Sequence, residues 1–204
     1  MQGAFSRRLD SGVRCGNVSG VKLKTVISCE EFERMAADLG PCELIDGEVV
    51  LMSPGGFGRS ACVGNIHFVI RSFIEGKSLG HVLTSELGLH VRRQPPRSRG
   101  ADVAYISYNR LPKENPPWGF LTVPPELIVE LSRDDITWQK VEEKIADYHA
   151  FGVDEVWYVD PEARTLRRFP RSGTPSVIHD GDFVDGGVIL PGFRVPLTRF
   201  FDGL

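Results

Sequence analysis

The chain has 204 residues, of which 41% are hydrophobic and 25% are charged, and its formal net charge is −3. This length suits one α/β domain with a substantial core and is marginal for two domains. The slightly acidic balance argues against a strong, non-specific binder of duplex nucleic acid, but it leaves room for a local basic patch. No apolar run approaches the roughly 20 residues that a transmembrane helix needs, and we see no secretory signal, so we expect a cytoplasmic protein.

The cysteines and histidines do not form a recognisable metal-binding pattern. The four cysteines are Cys15, Cys29, Cys42 and Cys62, and none belongs to a C-x-x-C pair. This spacing predicts free, mostly buried thiols rather than a zinc site or a disulfide framework. Carboxylates are therefore the better candidates for binding a metal ion, and the metal they favour is a hard cation such as Mg²⁺.

The N-terminal part of the chain divides into an arm and the start of a domain. Residues 1–24 are rich in Gly, Ser and Arg without clear periodicity, which predicts a flexible arm, and residues 25–204 are predicted to form a single domain. Ser28 and Glu31 match a capping box, which predicts a helix that ends near Leu39.

The next elements are predicted from turn residues and apolar spacing. Asp46-Gly47 separates two apolar segments, which predicts a β-hairpin over 42–52. Apolar spacing predicts a largely buried helix over about 58–75 and a strand over 81–91. Arginines and prolines over 92–100 predict a loop, whose arginines form either a solvated surface or a basic patch.

The second half of the chain alternates short apolar runs with one helical pattern. The predicted elements are, in order, a strand over 101–106, an irregular proline-rich connection over 107–125, a strand around 127–131, a helix over about 136–151, strands over 153–161 and 165–169, and a short strand and turn in the tail. This order predicts a mixed-sheet α/β layer, and no phosphate-binding glycine loop follows any strand.

Two of the predicted strands carry an acidic residue inside an apolar run. These residues are Asp102 and Glu130, and Lys144 lies on the helix that follows the second strand. A carboxylate in such a position is costly unless a metal, a counter-ion or a hydrogen-bond network holds it. The pattern is therefore compatible with a metal-hydrolase site and also with a buried ion-pair network that performs no chemistry.

The chemistry of phosphodiester hydrolysis would use these residue types. It needs a metal to polarise the phosphate, an activated water and a positive charge near the developing oxyanion. Mg²⁺ keeps several waters, so Asp102, Glu130 and the backbone carbonyl of Leu131 would suffice as protein ligands. Lys144 would orient the water and stabilise negative charge, and Tyr148 lies on the same helix face.

Five segments in this order resemble the Uma2 family of the PD-(D/E)XK nuclease superfamily, and the resemblance extends over roughly residues 25–202. The segments are ELIDGEVVLMSP at 43–54, ADVAYIS at 101–107, PELIVELS at 125–132, KIADYHAFGVDEVWYVDPE at 144–162 and LPGF at 190–193. The resemblance implies a restriction-endonuclease-like α/β core, with a mixed central sheet flanked by helices in the order αβββαβ and an added N-terminal β-hairpin.

The same resemblance implies a Mg²⁺-dependent endonuclease that acts on DNA, with Mn²⁺ as a possible substitute. Asp102 corresponds to the aspartate of the PD motif, and Glu130 corresponds to the acid of the (D/E)xK motif. Ser132 stands where that motif has its lysine. The resemblance therefore assigns the lysine role to Lys144 on the following helix.

The resemblance also implies an upstream acid, which is either Glu43 or Glu48, and we favour Glu43 as a catalytic residue. One departure concerns the start of the first core helix, where a histidine common in the family is absent. Phe57, Gly58 and Arg59 occupy that region instead, which predicts altered contacts with substrate or metal.

The sequence is compatible with three functions. The first is a metal-dependent DNA endonuclease, which we expect to be a homodimer because paired sites suit the cutting of two strands. The second is a catalytically inactive nuclease-fold module that binds nucleic acid or protein. The third, a small-molecule enzyme, lacks any nucleophile or cofactor motif. A nuclease requires Asp102, Glu130 and Lys144 around one cavity, whereas a solvent-directed Lys144 would exclude it.

Overall fold

The computed structural model describes residues 26–204, apart from the side chain of Glu86. The predicted N-terminal arm therefore lies outside the described residues. The elements are α1 (Cys29–Leu39), β1 (Cys42–Ile45), β2 (Glu48–Leu51), α2 (Phe57–Ile74), β3 (Gly80–Arg93), β4 (Pro96–Ser107), β5 (Leu127–Leu131), α3 (Trp138–Phe151), β6 (Glu155–Asp160), β7 (Thr165–Pro170), β8 (Ser176–His179), β9 (Phe183–Gly186), β10 (Leu190–Pro196) and a final 3₁₀ helix (Leu197–Phe201). None of the helices in this part of the chain is long and apolar enough to cross a bilayer.

The first eight strands form one mixed sheet. Its order is β2-β1-β4-β5-β6-β7-β8, and β3 pairs with β4. Strands β5 and β6 are parallel and are connected through α3, whereas the other neighbouring strands are antiparallel. The order α2-β3-β4-β5-α3-β6 is the predicted αβββαβ core, and β1 and β2 form the predicted additional hairpin.

Strand β4 organises the sheet because it pairs with three other strands. Strand β3 pairs with β4 along its whole length, which occupies one edge. Along the other edge, β1 pairs first, at Leu44 opposite Ser98, and β5 pairs further on, at Val129 opposite Val103. Gly100 therefore lies at the junction between β1 and β5, and the candidate site is built around this junction.

Helices cover both faces of the sheet. Residues at four-residue spacing place one stripe of α2 in the core on one face: Cys62, Ile66, Ile70 and Ile74. The opposite face packs against a stripe of α3: Val141, Ile145 and Tyr148. Because the two helices lie on opposite faces, side chains from α2 and α3 can approach the end of β5 from both sides.

Several local predictions are confirmed by the backbone. The Ser28 side chain accepts a hydrogen bond of 3.1 Å from the Glu31 N–H and begins α1. Asp46 and Gly47 both have positive φ, 51° and 83°, as the tight turn of the β1–β2 hairpin requires. Gly152 ends α3 in the left-handed conformation, with φ of 116°.

The predicted loop over 92–100 is wrong. Strand β3 continues to Arg93 and β4 begins at Pro96, so the two strands form one long hairpin. Arg97 and Arg99 are buried within β4, with 6% and 8% exposure. Their charges suggested a solvated segment, but acidic side chains from other elements neutralise them, and the strand therefore extends through them.

Cys29 and Cys62 are free thiols, as predicted, and Cys15 lies outside the described residues. Cys29 and Cys62 are buried, and Cys42 is half-buried. Burial, together with the nearby charge of Asp102, raises the pKa of Cys62 to about 12. A thiol with so high a pKa is a packing residue rather than a nucleophile or a metal ligand.

The α2 contact with the sheet is tested by Ile66→Ala. Ile66 is fully buried, so its truncation leaves a cavity, and we expect a loss of about 2–5 kcal/mol in the free energy of unfolding. Phe68→Ala on the same helix is the matched control because its side chain is 61% exposed, and its effect is expected to stay within about 0.5 kcal/mol. Urea denaturation measures both, and equal losses would contradict the described orientation of α2.

Candidate functional site

A cavity of about 270 Å³ lies at the end of β5, between α2, α3 and the β1–β2 hairpin. The residues that the sequence predicted for a site all line it: Glu43, Asp102, Glu130, Leu131 and Lys144. They come from four elements that are distant in sequence, and the fold brings them together at the junction around Gly100.

Lys144 points into this cavity and contacts two of the predicted acids. Its Nζ lies 2.8 Å from Glu130 Oε2 and 3.1 Å from Glu43 Oε1, and it donates a hydrogen bond of 2.9 Å to the Gly100 carbonyl. Burial lowers the pKa of Lys144, but the charges of Glu130, Glu43 and Asp102 outweigh burial and raise that pKa above its usual value. Lys144 is therefore a fixed positive charge and not a proton acceptor at neutral pH.

Glu130 is held by two donors from α3. Lys144 contacts one carboxylate oxygen, and the Tyr148 hydroxyl donates a hydrogen bond of 2.7 Å to the other. Burial and the charge of Asp102 together raise the pKa of Glu130 to about 7, against the opposing effects of Lys144 and of the Tyr148 hydrogen bond. Glu130 thus experiences a nearby like charge that a bound cation would relieve.

Asp102 faces α2. Its Oδ1 forms an ion pair with the guanidinium of Arg59, and its Oδ2 accepts a hydrogen bond of 2.8 Å from the Leu131 N–H. A β-bulge interrupts the β3–β4 pairing opposite Asp102, between Thr84 and Leu87. Bulges of this kind often redirect a side chain beside a functional site.

Glu43 is the upstream acid that reaches the cavity. It is 4% exposed, whereas Glu48 is exposed. Its carboxylate accepts hydrogen bonds from Arg99 Nη1 at 2.7 Å and from the Gly100 N–H at 3.1 Å. Burial raises the pKa of Glu43, but the charges of Lys144 and Arg99 outweigh burial and lower that pKa to about 2.

Sequence reasoning missed the residues that hold Glu43 in place. Asp147 is buried on α3 and receives Arg99 Nη2 at 2.6 Å and Arg97 Nη1 at 2.9 Å. Two features of the sequence could have indicated this contact. Arg97 and Arg99 alternate along a strand, and Asp147 follows Lys144 by three residues on the helix. Arg59 was singled out only as a departure from the family pattern, and its contact with Asp102 was not predicted.

The carboxylates of the cavity suit a hard cation. Within residues 26–204, no cluster of three or more His, Cys, Asp or Glu side chains is arranged to bind a metal ion. Mg²⁺ needs only one or two protein carboxylates because it retains water ligands. Asp102 and Glu130 line one cavity and repel each other electrostatically, so the residues fit Mg²⁺ held by two carboxylates.

Comparison with known proteins identifies the family. The family model Uma2, described as "Putative restriction endonuclease", matches residues 29–198. The chain belongs to the Uma2 family. This membership confirms the resemblance seen in the sequence, and the family description indicates a nuclease.

A solved structure supports the fold of this Uma2 chain. It is the crystal structure of "a putative nuclease belonging to DUF820" from Anabaena variabilis ATCC 29413, with a TM-score of 0.71. The two chains are 19% identical, and the match covers 86% of this chain and 98% of the other. At this identity the similarity establishes a shared fold. No curated protein matches this chain.

The low pKa of Glu43 predicts how Glu43→Gln changes stability with pH. The pKa falls from its usual 4.5 to about 2 in the folded protein, so ionised Glu43 stabilises the fold above about pH 5 and this contribution is lost as the pH falls toward 2. We expect the variant to be less stable than wild type at pH 7, and the deficit to shrink by on the order of 2 kcal/mol at pH 3.

Urea denaturation at the two pH values measures this change. Asp180→Asn is the control, because Asp180 is an exposed acid that pairs with Arg164 on the surface. A deficit for Glu43→Gln that is the same at pH 7 and pH 3 would contradict the ionised, charge-stabilised state of Glu43.

Proposed function

We propose that this Uma2 protein is a Mg²⁺-dependent endonuclease that hydrolyses phosphodiester bonds of DNA, with Mn²⁺ as a substitute metal. One observation carries the proposal: Lys144 contacts both Glu130 and Glu43 in the cavity that Asp102 also lines. Two carboxylates and an ammonium in one cavity are the groups that metal-assisted phosphodiester hydrolysis requires. The family description, "Putative restriction endonuclease", supports DNA as the substrate.

Asp102 and Glu130 would hold the metal, with the Leu131 carbonyl as a third protein ligand. When bound, Mg²⁺ polarises the scissile phosphate and lowers the pKa of a bound water. Tyr148 fixes the orientation of the Glu130 carboxylate through its hydroxyl hydrogen bond. The Leu131 N–H does the same for Asp102, so both proposed ligands are positioned by the protein itself.

Lys144 would provide the positive charge for the reaction. Its ammonium keeps its proton at Nζ because the charges of Glu130, Glu43 and Asp102 raise its pKa. A fixed positive charge of this kind stabilises the negative charge that develops on a phosphate oxygen. Glu43 would hold the ammonium in place, and Arg99 would hold Glu43. Glu43 therefore has a positioning role in this proposal.

A second candidate is a catalytically inactive nuclease-fold module that binds nucleic acid or protein. The pairing within the cavity favours it, because each acid already has a basic partner from the chain: Arg59 with Asp102, Lys144 with Glu130, and Arg99 with Glu43. Such a network is self-sufficient without a metal. Metal-dependent cleavage by the intact site distinguishes the nuclease from this module.

The assembly and location of the protein are also proposals. A homodimer would place two sites on the two strands of a duplex, and two-fold dimers are the commonest oligomers of soluble proteins. We propose a cytoplasmic protein, as the sequence predicted.

Plasmid cleavage with Mg²⁺ or Mn²⁺ tests the proposed reaction. We expect wild type to cleave only with metal, Asp102→Asn to lose detectable cleavage because a ligand charge is removed, and Lys144→Met to lose about 10²–10³-fold in rate. Lys113→Met is the control because Lys113 is an exposed lysine outside the cavity, and it should cleave like wild type. Undiminished cleavage by Asp102→Asn would mean that the activity resides elsewhere.

A further inference from the structure

The carboxylate of Asp102 has a partner on each oxygen. Arg59 pairs with Oδ1, and the Leu131 N–H donates to Oδ2. The Leu131 amide belongs to the backbone of β5, which is paired with β6 at Val159 and is therefore fixed. Arg59 has a long side chain on α2 that can change rotamer. A cation that binds Asp102 therefore has one replaceable competitor, which is the Arg59 guanidinium.

Two of the arginines that line the cavity, Arg99 and Arg59, are held very differently. Arg99 uses Nε, Nη1 and Nη2 in hydrogen bonds to Glu43 and Asp147. Arg59 contacts Asp102 through Nη2, while its buried Nε has no hydrogen-bond partner among the described residues. Because guanidinium groups bind most strongly through paired N–H donors, Arg99 is a fixed structural residue and Arg59 is only partly satisfied.

The same cavity offers the Arg59 guanidinium a second kind of partner. Arg59 and Lys144 both line it, so a phosphate that reaches Lys144 also comes within the region of Arg59. A guanidinium matches two phosphate oxygens with parallel N–H donors. A phosphate diester would therefore satisfy more of the Arg59 donors than the single oxygen of Asp102 does.

We propose that Arg59 is an exchangeable counter-ion of Asp102, which competes with the divalent cation for Oδ1 and moves to the substrate phosphate when the metal binds. This inference rests on the proposed metal site. It assigns to Arg59 the coupling of metal binding to phosphate binding, so that the acids of the cavity are neutralised both before and after the metal enters.

Isothermal titration calorimetry with Mn²⁺, without substrate, tests the competition. Arg59→Gln is expected to bind Mn²⁺ about 10- to 100-fold more tightly than wild type, the range that corresponds to one charge-assisted hydrogen bond. Arg133→Gln is the matched control: it removes the same charge from the same cavity, and Arg133 donates hydrogen bonds to Asp135 and to the Ser53 carbonyl. Its Mn²⁺ affinity should change by much less.

The outcomes separate this inference from the proposed function. Suppose that Asp102→Asn abolishes Mn²⁺ binding, while Arg59→Gln binds Mn²⁺ no more tightly than wild type or Arg133→Gln does. The proposed exchange of Arg59 between Asp102 and phosphate is then wrong, and the proposed metal site is supported. If Asp102→Asn binds Mn²⁺ as wild type does, or if wild type and Arg59→Gln both fail to bind it, the metal site and the exchange are both wrong.

A measurement on the wild-type protein covers the case in which Arg59→Gln does not fold. The Arg59 ¹⁵Nε resonance, assigned with Arg59→Lys, should shift on saturation with Mg²⁺, and Asp102→Asn should produce a similar shift without metal. Anisotropy of a labelled DNA duplex in Ca²⁺ should then show weaker binding by Arg59→Lys than by wild type. An Arg59 resonance that Mg²⁺ leaves unchanged, or DNA binding that Arg59→Lys leaves unchanged, would overturn the exchange.

Discussion

The partly buried contact of Lys144 with Glu130 and Glu43 is the interaction on which this site depends. Three carboxylates lie in or beside one small cavity, with Glu43, Asp102 and Glu130 each less than a tenth exposed. Buried charges of one sign are tolerated only when opposite charges and hydrogen bonds compensate them. Lys144 compensates two of the three acids at once, and removing it would leave both without their shared partner.

The residues of this contact also bind the backbone at the junction between β1 and β5. At Gly100, the edge of β4 passes from its pairing with β1 to its pairing with β5. The Gly100 N–H donates to Glu43, and its carbonyl accepts hydrogen bonds from Lys144 and Tyr148. The site residues thus satisfy backbone groups that a continuous neighbouring strand would otherwise satisfy. Fold and site are built from one set of hydrogen bonds.

Local sequence signals predicted the elements and the acids, but not the pairing between them. The capping residue Ser28, the Asp46-Gly47 turn and the apolar stripe of α2 each act over a few residues, so each was readable from sequence. Asp102 and Glu130 were identified because a charge interrupts an apolar strand. The role of Lys144 was proposed from its place on the helix after the Glu130 strand, and the family resemblance agreed with it. The role of Glu43 came from the resemblance alone, and both side chains line the cavity.

The errors and omissions have a common cause. The loop predicted over 92–100 is strand because Asp147 and Glu43, which are 48 and 56 residues from Arg99, neutralise its charge. Arg59 reaches Asp102 across 43 residues of chain. Partners so distant in sequence produce no local pattern, and hydrophobic periodicity treats every arginine as a surface residue.

The most direct measurement is the anomalous scattering of crystals soaked in Mn²⁺, recorded for wild type and for Asp102→Asn. We expect a manganese peak in the cavity, beside the oxygens of Asp102 and Glu130 and the Leu131 carbonyl, and its absence from the variant. A peak that avoids Asp102 and Glu130, or a cavity that shows none at saturating Mn²⁺ while Lys144 and Arg59 keep their contacts with the acids, would contradict this expectation.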